Sequence, residues 1–451
     1  MNDGSSRPAP WREVFRGRDG RLVIGLLLFE TLGAVHILIV ATVMPAVLRD
    51  LGDLPLYGWA FSAAALGTIA AIPIVGAAME RFGTRSLVAA TATLYVVGLV
   101  GAALAPSMLA LVVARFVQGV ASGSAYTLSI GTEAKTLPPH IRPRVLALLA
   151  TSWLLPALLG PAIGGFLAGT VGWRWAFVVP LPLLVVSIVM IWPAVTSAVN
   201  REAERPPIAR TLLLMIGVAL FLAGANGGAI GTTALAAVGV VIAVLALGGL
   251  VPPGTLLARP VAPAAALCAF LLSLGFAAID SYVPLMLTNV RGLTVQRASL
   301  TIVVGAGTWA IGSWWQSHVS GRLSAGVIVT IGSLSFLVGI AIATLVLHGA
   351  FVWLILLAWA AAGFGMGSAW PTIPLAVMAV VTEGHEAREL SPALLMDMVG
   401  VSVGAGLGGA AIARMTDAGR PLSTGLSIAF GLAAIAIVIL VPLARRMDPR
   451  R

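Results

Sequence analysis

Between Trp153 and Trp175 the chain reads WLLPALLGPAIGGFLAGTVGWRW, apolar enough to lie in lipid yet holding two prolines and five glycines. A helix that only anchors a protein has no use for them. Small residues on one face let two helices approach closely, and a proline bend is tolerated where a neighbour absorbs the freed hydrogen bond. This segment therefore needs partner helices around it, and the chain must fold as a packed bundle of several membrane spans.

The rest of the sequence supplies the partners. Of 451 residues, 59% are hydrophobic and 10% charged, against about 25% charged in a soluble domain. Long unbroken apolar runs replace the alternating pattern of a membrane β-barrel, so the expected class is an all-α polytopic membrane protein. Spans of roughly 17–27 residues fall at 22–48, 56–79, 86–105, 108–130, 145–168, 174–195, 210–227, 230–250, 262–288, 298–315, 325–346, 350–379, 391–413 and 424–443. The tract 212–251 would overshoot a bilayer as one helix and is interrupted at Ala225–Gly228, so it reads as a hairpin of two spans. The first apolar run contains Glu30 and lacks a small-residue cleavage site, so it reads as a span and not as a signal peptide. The one cysteine, Cys268, excludes an internal disulfide.

Charge and repetition give the arrangement. With both termini inside, the outer loops hold six basic residues (Arg49, Arg174, Arg291, Arg297, Arg414, Arg420), Arg115 lies within a span, and the other twenty are inner. That bias expects cytoplasmic termini and an even span count, and it excludes nucleic acid as the partner of the +10 net charge. Arginine supplies all basic residues but Lys135, a usage that fits a GC-rich bacterial genome and hence a bacterial cytoplasmic membrane. GSAY at Gly123–Tyr126 recurs as GSAW at Gly367–Trp370, and the same offset of 244 carries Gly119 onto Gly363 and Gly160, Gly164 and Gly165 onto Gly404, Gly408 and Gly409. Two similar halves in the same orientation are one signature of secondary transporters. The expected division is a cytoplasmic segment 1–21, a six-helix bundle 22–195, a linker 196–209, an inserted hairpin 210–250, a second six-helix bundle 262–443 and a tail 444–451.

Three motifs stand on these spans. GAAMERFGTR, Gly76 to Arg85, forms a tight turn with Glu80, Arg81 and Arg85 around Gly83, which is free to take a positive φ. RFVQGVASG in the fourth span carries Arg115, Gln118 and Gly119, and GPAIGG in the fifth carries Gly160, Pro161, Gly164 and Gly165 before a WRWAF ending. In this order the motifs resemble the major facilitator superfamily, and more narrowly its fourteen-span drug/proton antiporters. Glu80 stands where the superfamily's loop motif has aspartate, Thr84 where it has an arginine, and Pro180 where an asparagine is common. The resemblance implies the major facilitator fold, two six-helix bundles plus two inserted helices. It also implies a cytoplasmic gate at Gly76, Glu80, Arg81, Gly83 and Arg85, latching onto the start of the thirteenth span at Glu389-Leu390-Ser391-Pro392, and an antiporter motif at Gly160, Pro161, Gly164 and Gly165.

Three acids fall inside spans: Glu30, Asp280 and Asp397. A charge at the bilayer centre costs about 2.5–3.5 kcal/mol, so such residues persist where they face a cavity, a partner or a proton. Each fits proton carriage, and each also fits a structural hydrogen bond within the bundle. Glu30 precedes Pro45 by 15 residues and Asp280 precedes Pro284 by 4, which places Glu30 toward the cytoplasmic half and Asp280 toward the outer half. Arg115 fits either a counter-charge to a carboxylate or a fixed partner for backbone carbonyls. His36 is mid-span, and a lone histidine there is more often structural than a relay. Trp309 and Trp370 are the candidate cavity aromatics, whereas Trp314 and Trp315 fit a membrane interface.

The expected function is proton-coupled export of lipophilic or drug-like small molecules by alternating access, by a monomer without cofactor or metal. A lipid or metabolite exporter, an importer and, least of all, a membrane enzyme are the alternatives. The histidines show no metal-ligand spacing, and no G-x-x-x-x-G-K-[ST] segment is present to bind ATP.

Overall fold

A computed structural model describes residues 14–136, 145, 154–195, 207–226, 230–259, 261–320, 322–378 and 386–448. Among them there is no strand, and helices account for nearly all of the chain. The long helices are α1 (Gly17–Leu51), α2 (Leu54–Phe82), α3 (Thr84–Ala103), α4 (Met108–Thr136), α5 (Leu154–Thr170), α6 (Pro180–Ile191, after the one-turn helix Trp175–Val178) and α7 (Ile208–Asn226). They continue with α8 (Ile230–Leu247), α9 (Ala262–Asp280), α10 (Val295–Val319), α11 (Ala325–Leu347), α12 (Leu354–Met378), α13 (Glu386–Asp417) and α14 (Leu422–Ala444).

Ten of the described helices are long and apolar enough to cross a membrane. Among the others, α10 has the length, at 25 residues, but its Gln296, Arg297, Ser299, Thr301, Thr308, Ser313 and Gln316 lower its hydropathy. A helix surrounded by other helices can carry such residues, because partners there and not lipid meet them. The helices α6 and α8 are short apolar segments, and α5 begins where the described residues resume.

Packing follows the glycine repeat. In the first group of six helices α4 packs on α2 and α3, and α1 packs on α5 and α6; in the last six α12 packs on α10 and α11, and α9 on α13 and α14. A side chain at Gly119 would run into the Ala64 carbonyl of α2, and one at Gly363 into the Gly305 carbonyl of α10. Gly123 faces Thr68 and Gly367 faces Trp309 in the same way. Each pair of helices thus crosses at a backbone-to-backbone contact that only glycine permits.

The two groups meet along α2–α13 and α5–α10. The α7–α8 hairpin lies outside that seam, with α7 against both α2 and α13, where Arg414 also donates to the Gly224 carbonyl at 3.4 Å. The helices alternate in direction, so α1 starts and α14 ends at one end of the bundle, called the near end below. Tight turns redirect the chain: Gly52 (φ 69°) closes α1 at the far end, and Gly83 (φ 79°) joins α2 to α3 at the near end. The left-handed φ at Gly83 is the one its motif requires.

Candidate functional site

The fifth-span motif divides its glycines between two neighbours. A Cβ on Gly164 would sit 3.2 Å from Thr42 of α1, whereas one on Gly165 would sit 2.7 Å from the Ser299 hydroxyl of α10. The repeat mates do the same: Gly408 faces Tyr282 and Ala278 beside α9, and Gly409 faces Gly58 of α2. One glycine of each pair therefore closes a helix contact within its own group, and the next closes the seam between groups. Gly160 is buried; the side chain of Pro161 lies outside the described residues.

The far end of the seam is shut. Tyr57 and Phe61 of α2 stack on Tyr282 with ring centroids 5.7 and 6.4 Å away, and the Tyr57 hydroxyl donates to the Ser281 carbonyl at 3.4 Å. The Tyr282 hydroxyl donates to the Ala405 carbonyl of α13. The WRW ending of the fifth-span motif braces the first group at this same end. Arg174 pairs with Asp50 at 2.6 Å and lies over Trp173 at 4.3 Å, and the Trp173 indole also donates to Asp50 at 3.0 Å. At the near end Arg85 stacks over Trp192 at 4.5 Å, and the Ser86 hydroxyl donates to the Phe82 carbonyl at 2.7 Å. Gly76 and Glu80 belong to α2 and Glu389 and Ser391 to α13, but the side chains of Glu80, Glu389 and Ser391 lie outside the described residues, as does that of His36.

Arg115 is 3% exposed and reaches across to α2, where its Nε donates to the Ala60 carbonyl at 3.0 Å. Its Nη1 donates to Gln118 Oε1 at 2.9 Å, and Gln118 Nε2 donates in turn to the Gly98 carbonyl of α3 at 2.8 Å. The fourth-span motif is therefore a bracket: Arg115 and Gln118 tie α2 and α3 to α4 beside the close approach at Gly119. Hydrogen bonds from a charged donor contribute about 1.5–3 kcal/mol each, so the bracket is a substantial stabilising device.

The intramembrane acids separate into two places. Asp280 ends α9 at the far end, and in the neighbouring α12 the Trp359 indole fills the space left by Gly305. Glu30 and Asp397 lie nearer the near end and are 7% and 5% exposed. Ser273 of α9 donates to the Asp397 carboxylate, and the Trp370 indole donates to the same oxygen at 3.3 Å. The Tyr95 hydroxyl of α3 donates to Ser122 of α4 at 3.0 Å. Each six-helix group thus buries one acid nearer this end, and Asp397 is held there by the Ser273 hydroxyl and the Trp370 indole. Among the described residues no three His, Cys, Asp or Glu side chains are grouped to hold a metal ion.

Sequence reasoning singled out both acids and Trp370 but passed over Ser273, whose hydroxyl meets the same Asp397 oxygen as the Trp370 indole. It also passed over Tyr57, Phe61 and Tyr282, whose closure role depends on which helices meet at the seam. Trp309 packs edge-on against Phe276 at 5.6 Å, inside the second group, whereas Trp314 is 65% exposed, as an interface residue would be.

Comparison with known proteins agrees on the architecture. The family model described as Major Facilitator Superfamily matches residues 26–388. A probable multidrug-efflux transporter of Mycobacterium tuberculosis is 27% identical over 100% of this chain and 99% of its own length. A multidrug resistance protein B homolog of the same organism is 30% identical over 49% of this chain and 43% of its own. Among solved structures, a D-xylose-proton symporter superposes with a TM-score of 0.66 at 17% identity, covering 94% of this chain and 98% of that one. A bacterial homolog of the human lysosomal transporter Spinster, captured inward-facing and occupied, gives 0.65 at 14% identity over 97% and 96%.

Proposed function

The chain belongs to the Major Facilitator Superfamily, and from that premise we propose that it exports lipophilic, drug-like cations in exchange for protons by alternating access. The observation that supports this reading is a buried acid in each six-helix group, Glu30 and Asp397, with the Asp397 carboxylate held by the Trp370 indole at 3.3 Å. Two carboxylates in a mostly apolar setting offer charge to a cation and a base to a proton, and the two compete for the same sites. Aromatic faces beside them favour an organic cation over an inorganic one. The multidrug-efflux names of the M. tuberculosis relatives support the export direction and the substrate class.

The cycle follows from the seam. With the far end shut by Tyr57, Phe61, Tyr282 and the seam glycines, the centre is loaded from the near end, which the charge bias assigns to the cytoplasm. Opening the far end exposes the centre to the outside, where protons displace the cation. Asp280, on the far-end side, is a second protonation point on that outer path. The loop at Gly76–Arg85, latched onto the start of α13, is the gate that closes the near end. The transporter works as a monomer in a bacterial cytoplasmic membrane, with both termini cytoplasmic.

The test is ethidium transport by the full-length protein in proteoliposomes. An imposed pH gradient should drive ethidium against its own gradient, and a protonophore should abolish the movement. Ethidium flux indifferent to both would remove proton exchange from the account.

A further inference from the structure

The inserted hairpin is fastened unevenly across the seam it lies on. Leu214, Val218 and Leu222, four residues apart along one face of α7, are all buried, and α7 packs on both α2 and α13. The three share a core with Leu66 and Ile69 of α2 and with Val399 and Val403 of α13. Toward the far end Leu222 is keyed into α13. A Cβ on Gly406 would run into both Leu222 methyl carbons and would lie 3.0 Å from the Ser62 hydroxyl of α2. Just beyond, Arg414 of α13 donates to the Gly224 carbonyl at 3.4 Å. At the near end the connection from α8 to α9 is tied to the residues after α14. Arg446 donates to the Leu257 and Ala258 carbonyls at 3.0 and 3.4 Å, and its own carbonyl accepts from the Val261 N–H at 3.0 Å. Within the hairpin, Gly217, Gly224 and Gly239 bring the α7 and α8 backbones into direct contact, so the two helices move as one piece.

Toward the second group α7 thus has a hydrogen bond, a filled notch and a tied connection. Toward α2 it presents its leucine and valine stripe. These contacts part at different cost. Apolar side chains pulled off α2 meet acyl chains as apolar as themselves, whereas a hydrogen bond broken in lipid leaves polar groups unserved. When α2 and α13 separate, the face that gives way is the one toward α2. Going beyond the exchange chemistry, and resting only on the rocking of the two groups in the reading above, we propose that the hairpin belongs mechanically to the second six-helix group and is a sliding seal on the α2–α13 seam. It stays keyed to α13 through Leu222 while α2 moves beneath it, so the lipid side of the seam keeps a protein cover throughout the cycle.

The experiment locks the hairpin to one group at a time. Cys268 is buried, so introduced thiols are the ones a reagent reaches. Leu222→Cys with Gly406→Cys sets a pair between α7 and α13, in the notch the leucine has vacated. Leu222→Cys with Ser62→Cys sets a pair between α7 and α2, since Leu222 and Ser62 both border Gly406. Full-length protein in proteoliposomes is linked with a short bis-methanethiosulfonate, and its proton-driven ethidium movement is compared with that of the same variant unlinked. Linking α7 to α13 should leave the rate unchanged. Linking α7 to α2 should abolish it, because the hairpin then ties the two groups together. Ala225→Cys with Arg414→Cys, beside the Gly224 carbonyl that Arg414 holds, serves as the α7–α13 pair if the Gly406 variant does not fold. Loss of movement on linking α7 to α13 would overturn the seal and leave the rocking of the groups standing. Movement that survives both links would overturn the seal and the rocking together.

Discussion

Ser62 of α2 and Ser402 of α13 exchange hydrogen bonds across the seam: the Ser62 hydroxyl donates to the Ser402 carbonyl at 2.9 Å, and the Ser402 hydroxyl to the Ser62 carbonyl at 3.3 Å. Both side chains are fully buried. The pair is reciprocal because two helices from similarly built groups meet there. A hydrogen bond between membrane helices contributes about 0.6 kcal/mol on average, a hold that registers the helices and still yields during a transport cycle.

Removing both hydroxyls, Ser62→Ala with Ser402→Ala, should therefore weaken far-end closure by about 1 kcal/mol, a roughly fivefold rise in the open population. Spin-label distances between the far ends of α2 and α13 would read it. An unchanged distribution would show that closure rests on the aromatic stack and the glycines alone.

The glycines should divide into two classes. A Cβ at Gly58 would lie 2.8 Å from the Gly409 Cα, across the seam, whereas one at Gly119 would strike the Ala64 carbonyl within the first group. Gly58→Leu should fold and bind ethidium yet fail to cycle, held open at the far end. Gly119→Leu should lower thermal stability, since overpacking costs about 1–3 kcal/mol and here no domain motion relieves it. Unfolding and transport assays on the two variants would separate them; equal loss of stability would contradict the division.

Arg115→Lys tests the bracket. Lysine keeps the charge but loses the planar fork that spans Ala60 and Gln118. The expected result is a lower unfolding temperature with an unchanged pH midpoint of exchange. A shifted midpoint at unchanged stability would make Arg115 a counter-charge instead.

At the far end, Asp50 and Arg174 are about half exposed, at 50% and 45% of their side chains. Such an exposed pair contributes little to stability, because water and salt screen it. Arg174→Ala should lower thermal stability slightly, by an amount that shrinks at high salt. A large, salt-independent loss would show that the stacking on Trp173, not the charge, is what holds the loop.

The helical fold and its family were legible in the sequence because span length, glycine spacing and the three motifs are local properties. The positive φ at Gly83 was legible for the same reason: a charged turn between two spans needs it. Glu30, Asp280 and Asp397 were legible as acids in lipid, but not which side chains each of them meets. That Asp397 meets Ser273 and Trp370 depends on how α13 packs against α9 and α12, a tertiary fact that no window of sequence contains. The two meanings of Arg115 were indistinguishable in sequence, since a carbonyl and a carboxylate leave the same arginine behind.

The central claim is that Glu30 and Asp397 exchange a proton for a cation. Its most direct measurement is luminal pH in proteoliposomes after ethidium addition, for the native protein and for Glu30→Gln with Asp397→Asn at equal protein abundance. The account predicts a proton flux opposite to ethidium in the native protein and none in the double variant. An equal flux in both would contradict it.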